Sequence, residues 1–115
     1  MDHANSRYFE RRCAAALQRL SKIGPFVAAS LSCVPRRCGN PRCRCAAGEG
    51  HPAWRLTCKD KDQKTVTVYV PVALLPEVRQ WVSNHRALKR LAAEISDAQW
   101  QRVRLFARER RRRPR

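Results

Sequence analysis

No segment of this 115-residue chain approaches eighteen consecutive apolar residues, so no membrane-spanning helix is expected. Acid is scarce. Nine Asp and Glu stand against 25 Lys and Arg, which gives a formal charge of +16 and a pI near 11.2. Self-repulsion at that charge opposes compaction and favours polyanionic partners. Nucleic acid comes ahead of an anionic membrane surface, DNA ahead of RNA, and no membrane partner is expected. An apolar leader is lacking as well: the start, MDHANSRYFERRC, is polar and charged. A cytoplasmic location is therefore expected. Thiols stay reduced there, and clustered cysteines read as metal ligands rather than disulfides.

The pattern that remains predicts a small α+β domain over residues 1–101 and a basic extension over 102–115. Phe9, Cys13, Ala16, Leu17 and Leu20 recur at steps of three and four, which predicts a helix over 7–23, stopped by Gly24 and Pro25. FVAASLSCV predicts a strand over 26–34. AWRLTCK and KTVTVYV both alternate around the polar DKDQ, a β-hairpin over 53–70 with Trp54, Leu56 and Cys58 on one face. Pro76 suits the first turn of a helical region over 72–101. Ser96 with Gln99 three residues later is a capping-box pattern, so that region either bends or restarts there. Trp100, Val103 and Phe106 read as a continuing packing stripe. The final RERRRRPR is a like-charge block expected to be disordered when alone. The sequence holds no internal repeat.

Between strand and hairpin, residues 35–52 form a loop in which Cys38, Cys43, Cys45 and His51 make C-x4-C-x-C-x5-H. Zinc takes four N or S ligands at tetrahedral corners, and a loop with Gly39, Pro41, Gly48 and Gly50 can bend around one ion. Cys33 is a rival for the fourth position, at C-x4-C-x4-C-x-C. Cys13 and Cys58 fall on apolar stripes and read as small buried hydrophobes. A zinc-activated nucleobase deaminase needs His-x-Glu ahead of Pro-Cys-x-x-Cys, and the chain has no His-x-Glu. Glu49 is the loop's one acid. A structural zinc in a non-enzyme is the reading that follows.

Arg36, Arg37, Arg42 and Arg44 surround the ligands. Arg42 and Arg44, alternating with the cysteines, would point outward, and the cluster would meet phosphate or a guanine edge, or offset the thiolate charge, or both. From Arg102 onward eight arginines stand against one glutamate. Arg108, Arg110, Arg111, Arg112 and Arg113 are the phosphate-contact candidates there. Tyr69, opposite Trp54 in face, is the better stacking candidate. The rival reading is a protein-interaction subunit: the C-terminal helix would pair with a second copy or with a larger nucleoprotein partner, possibly over RNA.

The run CGNPRCRCAAGEGHPAW, followed by KTVTVYVPVALLPEVRQWVSNHRALKRLAAEIS, resembles a group of small uncharacterised bacterial proteins found alongside transposable elements. The shared pattern is Cys-Gly-x-x-x-Cys-x-Cys, then Gly-x-Gly-His, a hairpin, a Val-Pro step and a helix with a Trp. The chain matches at Cys38, Gly39, Cys43, Cys45, Gly48, Gly50, His51, Val70, Pro71 and Trp81. The resemblance spans about residues 24–100 and implies His51 rather than Cys33 as fourth ligand. It also implies association with mobile DNA, with no established biochemical activity. After His51 an aromatic pair is expected, and Pro52-Ala53-Trp54 stands instead.

Overall fold

The computed structural model describes residues 3–48 and 50–112. The architecture is α+β. A helix α1 (His3–Leu20) leads to strands β1 (Ser30–Arg36), β2 (His51–Lys59) and β3 (Thr65–Tyr69), and a long helix α2 (Leu75–Arg112) closes the order. Two single 3-10 turns, Arg44–Ala46 and Val72–Leu74, punctuate the loop and the entry to α2. No helix among the described residues is long and apolar enough to cross a membrane.

The chain divides into two compact units rather than one domain and a tail. One is the described part of Met1–Gly24 and Arg86–Arg115, the other is Pro25–His85. In the second, the strands form an antiparallel sheet of order β1-β2-β3. Its register sets the two faces, because directly opposed residues point the same way. Leu31, Leu56 and Val68 oppose one another, as do Cys33 with Trp54 and Cys58 with Val66, so this face is apolar. The other carries Ser32, Arg55 and Tyr69, then Ser30, Thr57 and Thr67, and at its end Arg36 with His51. Arg55 Nε donates to Ser32 Oγ at 3.2 Å, and the Thr57 and Thr67 hydroxyls meet at 3.5 Å. The hairpin turn is held by Asp60, whose carboxylate accepts from the amides of Asp62 (2.8 Å) and Lys64 (3.0 Å). Leu75, Val78 and Val82, at helical spacing on α2, are buried in this unit.

The other unit pairs α1 with the later part of α2. Arg12 contacts Asp97 (3.4 Å) and Glu94 (3.9 Å), and Arg102 contacts Glu10 (3.0 Å). As the α1 number falls the α2 number rises, so the helices run antiparallel. Ala16 and Ala98 are its buried apolar residues.

Several expectations are corrected. The first strand covers 30–36, not 26–34, because the preceding segment bonds to α2 instead of β2: the Val27 amide donates to the Trp81 carbonyl at 3.3 Å, and Asn84 Nδ2 to that of Pro25 at 2.7 Å. His51 and Pro52 belong to β2 rather than the loop, since His51 pairs with Arg36. Ser96 starts no new helix. Asp97 is engaged by Arg12, and no Gly or Pro interrupts α2 between Pro76 and its end. The basic block is helical as far as Arg112 instead of disordered, in keeping with the good helix propensity of arginine. Cys58 is exposed, not buried. Trp100, Val103 and Phe106 are solvent-facing, at 63%, 60% and 55% exposure, because the inward positions of α2 here are Ala98, Arg102, Leu105 and Glu109.

Candidate metal centre

Local sequence chemistry shapes the loop. Asn40-Pro41-Arg42-Cys43 is a turn: the Cys43 amide donates to the Asn40 carbonyl at 3.0 Å, and the Arg42 amide to Asn40 Oδ1, also at 3.0 Å. Proline suits the second position of such a turn and asparagine the first. The 3-10 turn that follows places Cys45 inside, the one buried cysteine of the loop. Gly39, with φ +83, lets the chain reverse straight after Cys38. Gly50 is more constrained still. Its φ is +95, and a β-carbon there would stand 2.8 Å from the backbone carbon of Arg36. That close approach starts the β1–β2 ladder and so sets His51 beside the cysteines.

The result is a group of four ligand atoms, from Cys38, Cys43, Cys45 and His51, all within 4.8 Å of one another. Cys38 Sγ and Cys45 Sγ are 3.4 Å apart, and Cys43 Sγ lies 3.0 Å from His51 Nε2. Ligands at about 2.0–2.3 Å from one zinc at tetrahedral corners stand about 3.5 Å apart, so the spacing fits a single ion. Three soft thiolates and an imidazole are also a donor set that suits zinc. These residues can hold a metal ion. Cys33, the rival ligand, opposes Trp54 on the apolar face of the sheet and is not in the group.

The electrostatics agree. Cys43 is held down at about 6, first by the Cys45 amide donating to its sulfur, then by the Cys45 and His51 side chains. Cys38 is lowered too, chiefly by the Asn40 amide. His51 is raised, above all by Cys43. For Cys45 the Cys38 amide, 3.3 Å from its sulfur, pulls downward, but burial and the neighbouring thiols outweigh it and the net shift is upward. Thiols crowded this tightly need a positive partner, and a divalent cation supplies one.

Arg36, Arg37, Arg42 and Arg44 are all exposed. Arg36 lies over the Tyr69 ring, 4.2 Å from its centroid, and Arg37 Nη2 donates to the Gly48 carbonyl at 3.4 Å. Arg36 and Arg37 flank a recess of about 290 Å³ bounded also by Cys38, His51 and Ala53. Trp54 is half-buried beneath Arg79, 4.5 Å from its ring. On α2, Arg108, Arg110 and Arg111 are exposed. Of Arg112 only the helical backbone is described, and Arg113 and Glu49 lie outside the described residues. Sequence reasoning passed over Arg104, which lines a recess with Arg108 and Arg111. The signal was present in their spacing of four and three, once the segment is read as helix.

A family model described as a domain of unknown function, DUF6788, matches residues 9–80. That stretch contains the whole metal-ligand group and the hairpin. No curated protein and no solved structure matches the chain.

Proposed function

The chain belongs to the DUF6788 family, and from its metal centre and charge we propose a non-catalytic, zinc-stabilised nucleic-acid-binding protein, with DNA as the favoured polyanion and a mobile element as its setting. The observation that carries this reading is the division of labour within one loop. Four ligands draw together, while Arg36 and Arg37 just before them and Arg42 and Arg44 between them are exposed. A rigid knuckle so built presents guanidinium groups at fixed positions, as phosphate recognition requires. The recess between Arg36 and Arg37 offers such a position beside the ligands.

Zinc here would be structural. Four protein ligands fill a tetrahedral shell, and three thiolates leave the ion a poor Lewis acid. Its contribution would be folding free energy for a unit with few buried side chains.

The test is elemental mass spectrometry on wild type and Cys43→Ser purified without chelator, followed by DNA and RNA titrations over a salt series. The expected result is about one zinc per wild-type chain, loss of metal and of strand structure in the variant, and steeply salt-dependent binding. A metal-free wild type with an intact fold would remove the zinc reading. Absence of nucleic-acid binding at low salt would remove the other half.

A further inference from the structure

On α2, two residue sets with the same 4-3-4 spacing lie on opposite faces. Ala98, Arg102, Leu105 and Glu109 are buried or half-buried; Trp100, Arg104, Ala107 and Arg111 are exposed. Acid is distributed just as unevenly. The carboxylates of Glu10, Glu94 and Asp97 contact Arg12 and Arg102, whereas Arg104, Arg108 and Arg111 form no ion pair among the described residues. These three guanidinium-bearing side chains and Ala107 bound a shallow recess of about 210 Å³. Val103, 60% exposed, borders the stripe.

We infer that this outward stripe, centred on Arg104, Arg108 and Arg111 with Trp100 at its start, is a docking surface for double-helical DNA. The inference rests on the nucleic-acid reading above and adds a second surface to it. Charge complementarity selects the partner: cations without carboxylates on a helix whose geometry is already fixed match a rigid array of phosphates. Geometry selects the duplex. An α-helix of about 10–12 Å diameter enters the major groove of B-DNA, about 12 Å wide, while the major groove of A-form RNA is too deep and narrow. Single-strand binders need successive aromatic platforms in a groove, and this face carries one tryptophan. Trp100 and Val103 supply apolar surface for thymine methyl and sugar edges.

The experiment uses the full chain purified with its metal. A labelled DNA duplex of about 20 base pairs, its single strand, the equivalent RNA duplex and vesicles containing an anionic lipid are titrated from about 50 to about 200 mM salt. The expected order puts duplex DNA first, with a change in tryptophan emission that Trp100→Phe abolishes. Combined Arg104→Gln, Arg108→Gln and Arg111→Gln should weaken duplex binding at least about tenfold and reduce the salt slope by about 2.7. Arg-to-Lys changes at the same positions should largely restore both. The matching knuckle variant, Arg37→Gln with Arg42→Gln and Arg44→Gln, should leave the emission change in place. If wild type binds DNA and the α2 glutamine variant matches it in affinity and slope, the stripe is refuted while the nucleic-acid reading survives. Tighter binding to single strand, RNA duplex or vesicles refutes the named partner. If wild type binds no nucleic acid at all, both readings fall together.

Discussion

The two units of this chain solve the problem of a small, highly charged protein in different ways. Pro25–His85 encloses four metal-ligand atoms within 4.8 Å and rests on a three-stranded ladder whose apolar face leaves Cys58, Val66 and Val68 exposed. The helical unit has no such centre among its described residues. Its buried apolar residues are Ala16 and Ala98, and Arg12 and Arg102 contact the opposite helix's carboxylates. Surface ion pairs of that kind contribute about 0–1 kcal/mol each, whereas structural zinc is worth on the order of 10 kcal/mol. With the proposed zinc bound, stability in the first unit would be concentrated in one site, whereas in the second it is spread over many small terms. What differs is not the size of the core but where the folding free energy is lodged.

The largest expected effect follows from that concentration. Chelation, or Cys43→Ser, should abolish the strand signals of residues 30–69 while much of the helical ellipticity from α1 and α2 persists. Residue-resolved amide exchange on metal-loaded and chelated protein would show it. Loss of all protection in one step would erase the contrast between the units. Acid is the gentler lever. Cys43 sits at about 6, below the ordinary thiol value of 9.0, so the stability it contributes is complete above 9.0 and drains away as pH falls to about 6. His51, raised by the same contact, takes up its proton readily as well. Metal occupancy should fall on acidification below about 6, where Cys43 takes up its proton in competition with the metal, measured by mass spectrometry of buffer-exchanged samples.

Gly50→Ala tests the same unit through its backbone. A φ of +95 is unfavourable for any β-carbon, and the 2.8 Å approach to Arg36 is to main chain that cannot rotate away. A loss of about 3 kcal/mol is expected, together with weakened metal affinity, because the contact positions His51. Denaturant melts with and without metal separate the two effects. Gly39→Ala, in open space at φ +83, should cost less.

In the helical unit the sharpest counterpart is Ala98→Leu. Ala98 is fully buried, and overpacking there should cost about 2 kcal/mol. Metal affinity should not change, since Ala98 belongs to the other unit. A variant that loses metal would show that the units are coupled after all.

How far these units could be read from sequence differs for physical reasons. The cysteine–histidine cluster, hairpin and strand alternation are local, two-residue or short-loop patterns whose chemistry is visible in the letters themselves: the four residues of C-x4-C-x-C-x5-H come together, and Trp54, Leu56 and Cys58 share a face. What burial does with a face is not local. Cys58 lies on the apolar side of β2 as its spacing requires, yet it is exposed because none of the described residues buries that end. The Ser96–Gln99 capping pattern misled for a related reason: cap residues act only when the preceding backbone leaves the helix, and residues 86–95 do not. The arginine block was misjudged by composition. Charge repulsion argued for disorder, but a helix already running from Leu75 needs no new nucleus to extend as far as Arg112.

The smallest expected effect lies in the hairpin turn, which carries none of the metal ligands. Gln63 has φ +64, a left-handed conformation that costs an ordinary side chain roughly 1–2 kcal/mol. Its amide donates to the Asp60 carbonyl at 3.0 Å, and the Asp60 amide to that of Lys64 at 2.9 Å, so the turn is closed on both sides and the residue cannot relax. Gln63→Gly removes the strain and adds conformational entropy to the unfolded chain, about 0.5–1 kcal/mol in the opposite direction. The net should be a gain of about 0.5 kcal/mol, visible in denaturant melts of the metal-loaded protein, with Gln63→Val moving the other way. In chelated protein the gain should vanish, because a turn can store strain only while the strands on either side hold it closed. A gain that survives chelation would mean the hairpin folds without the metal, and the sheet unit would then be less dependent on its single site than its thin core suggests.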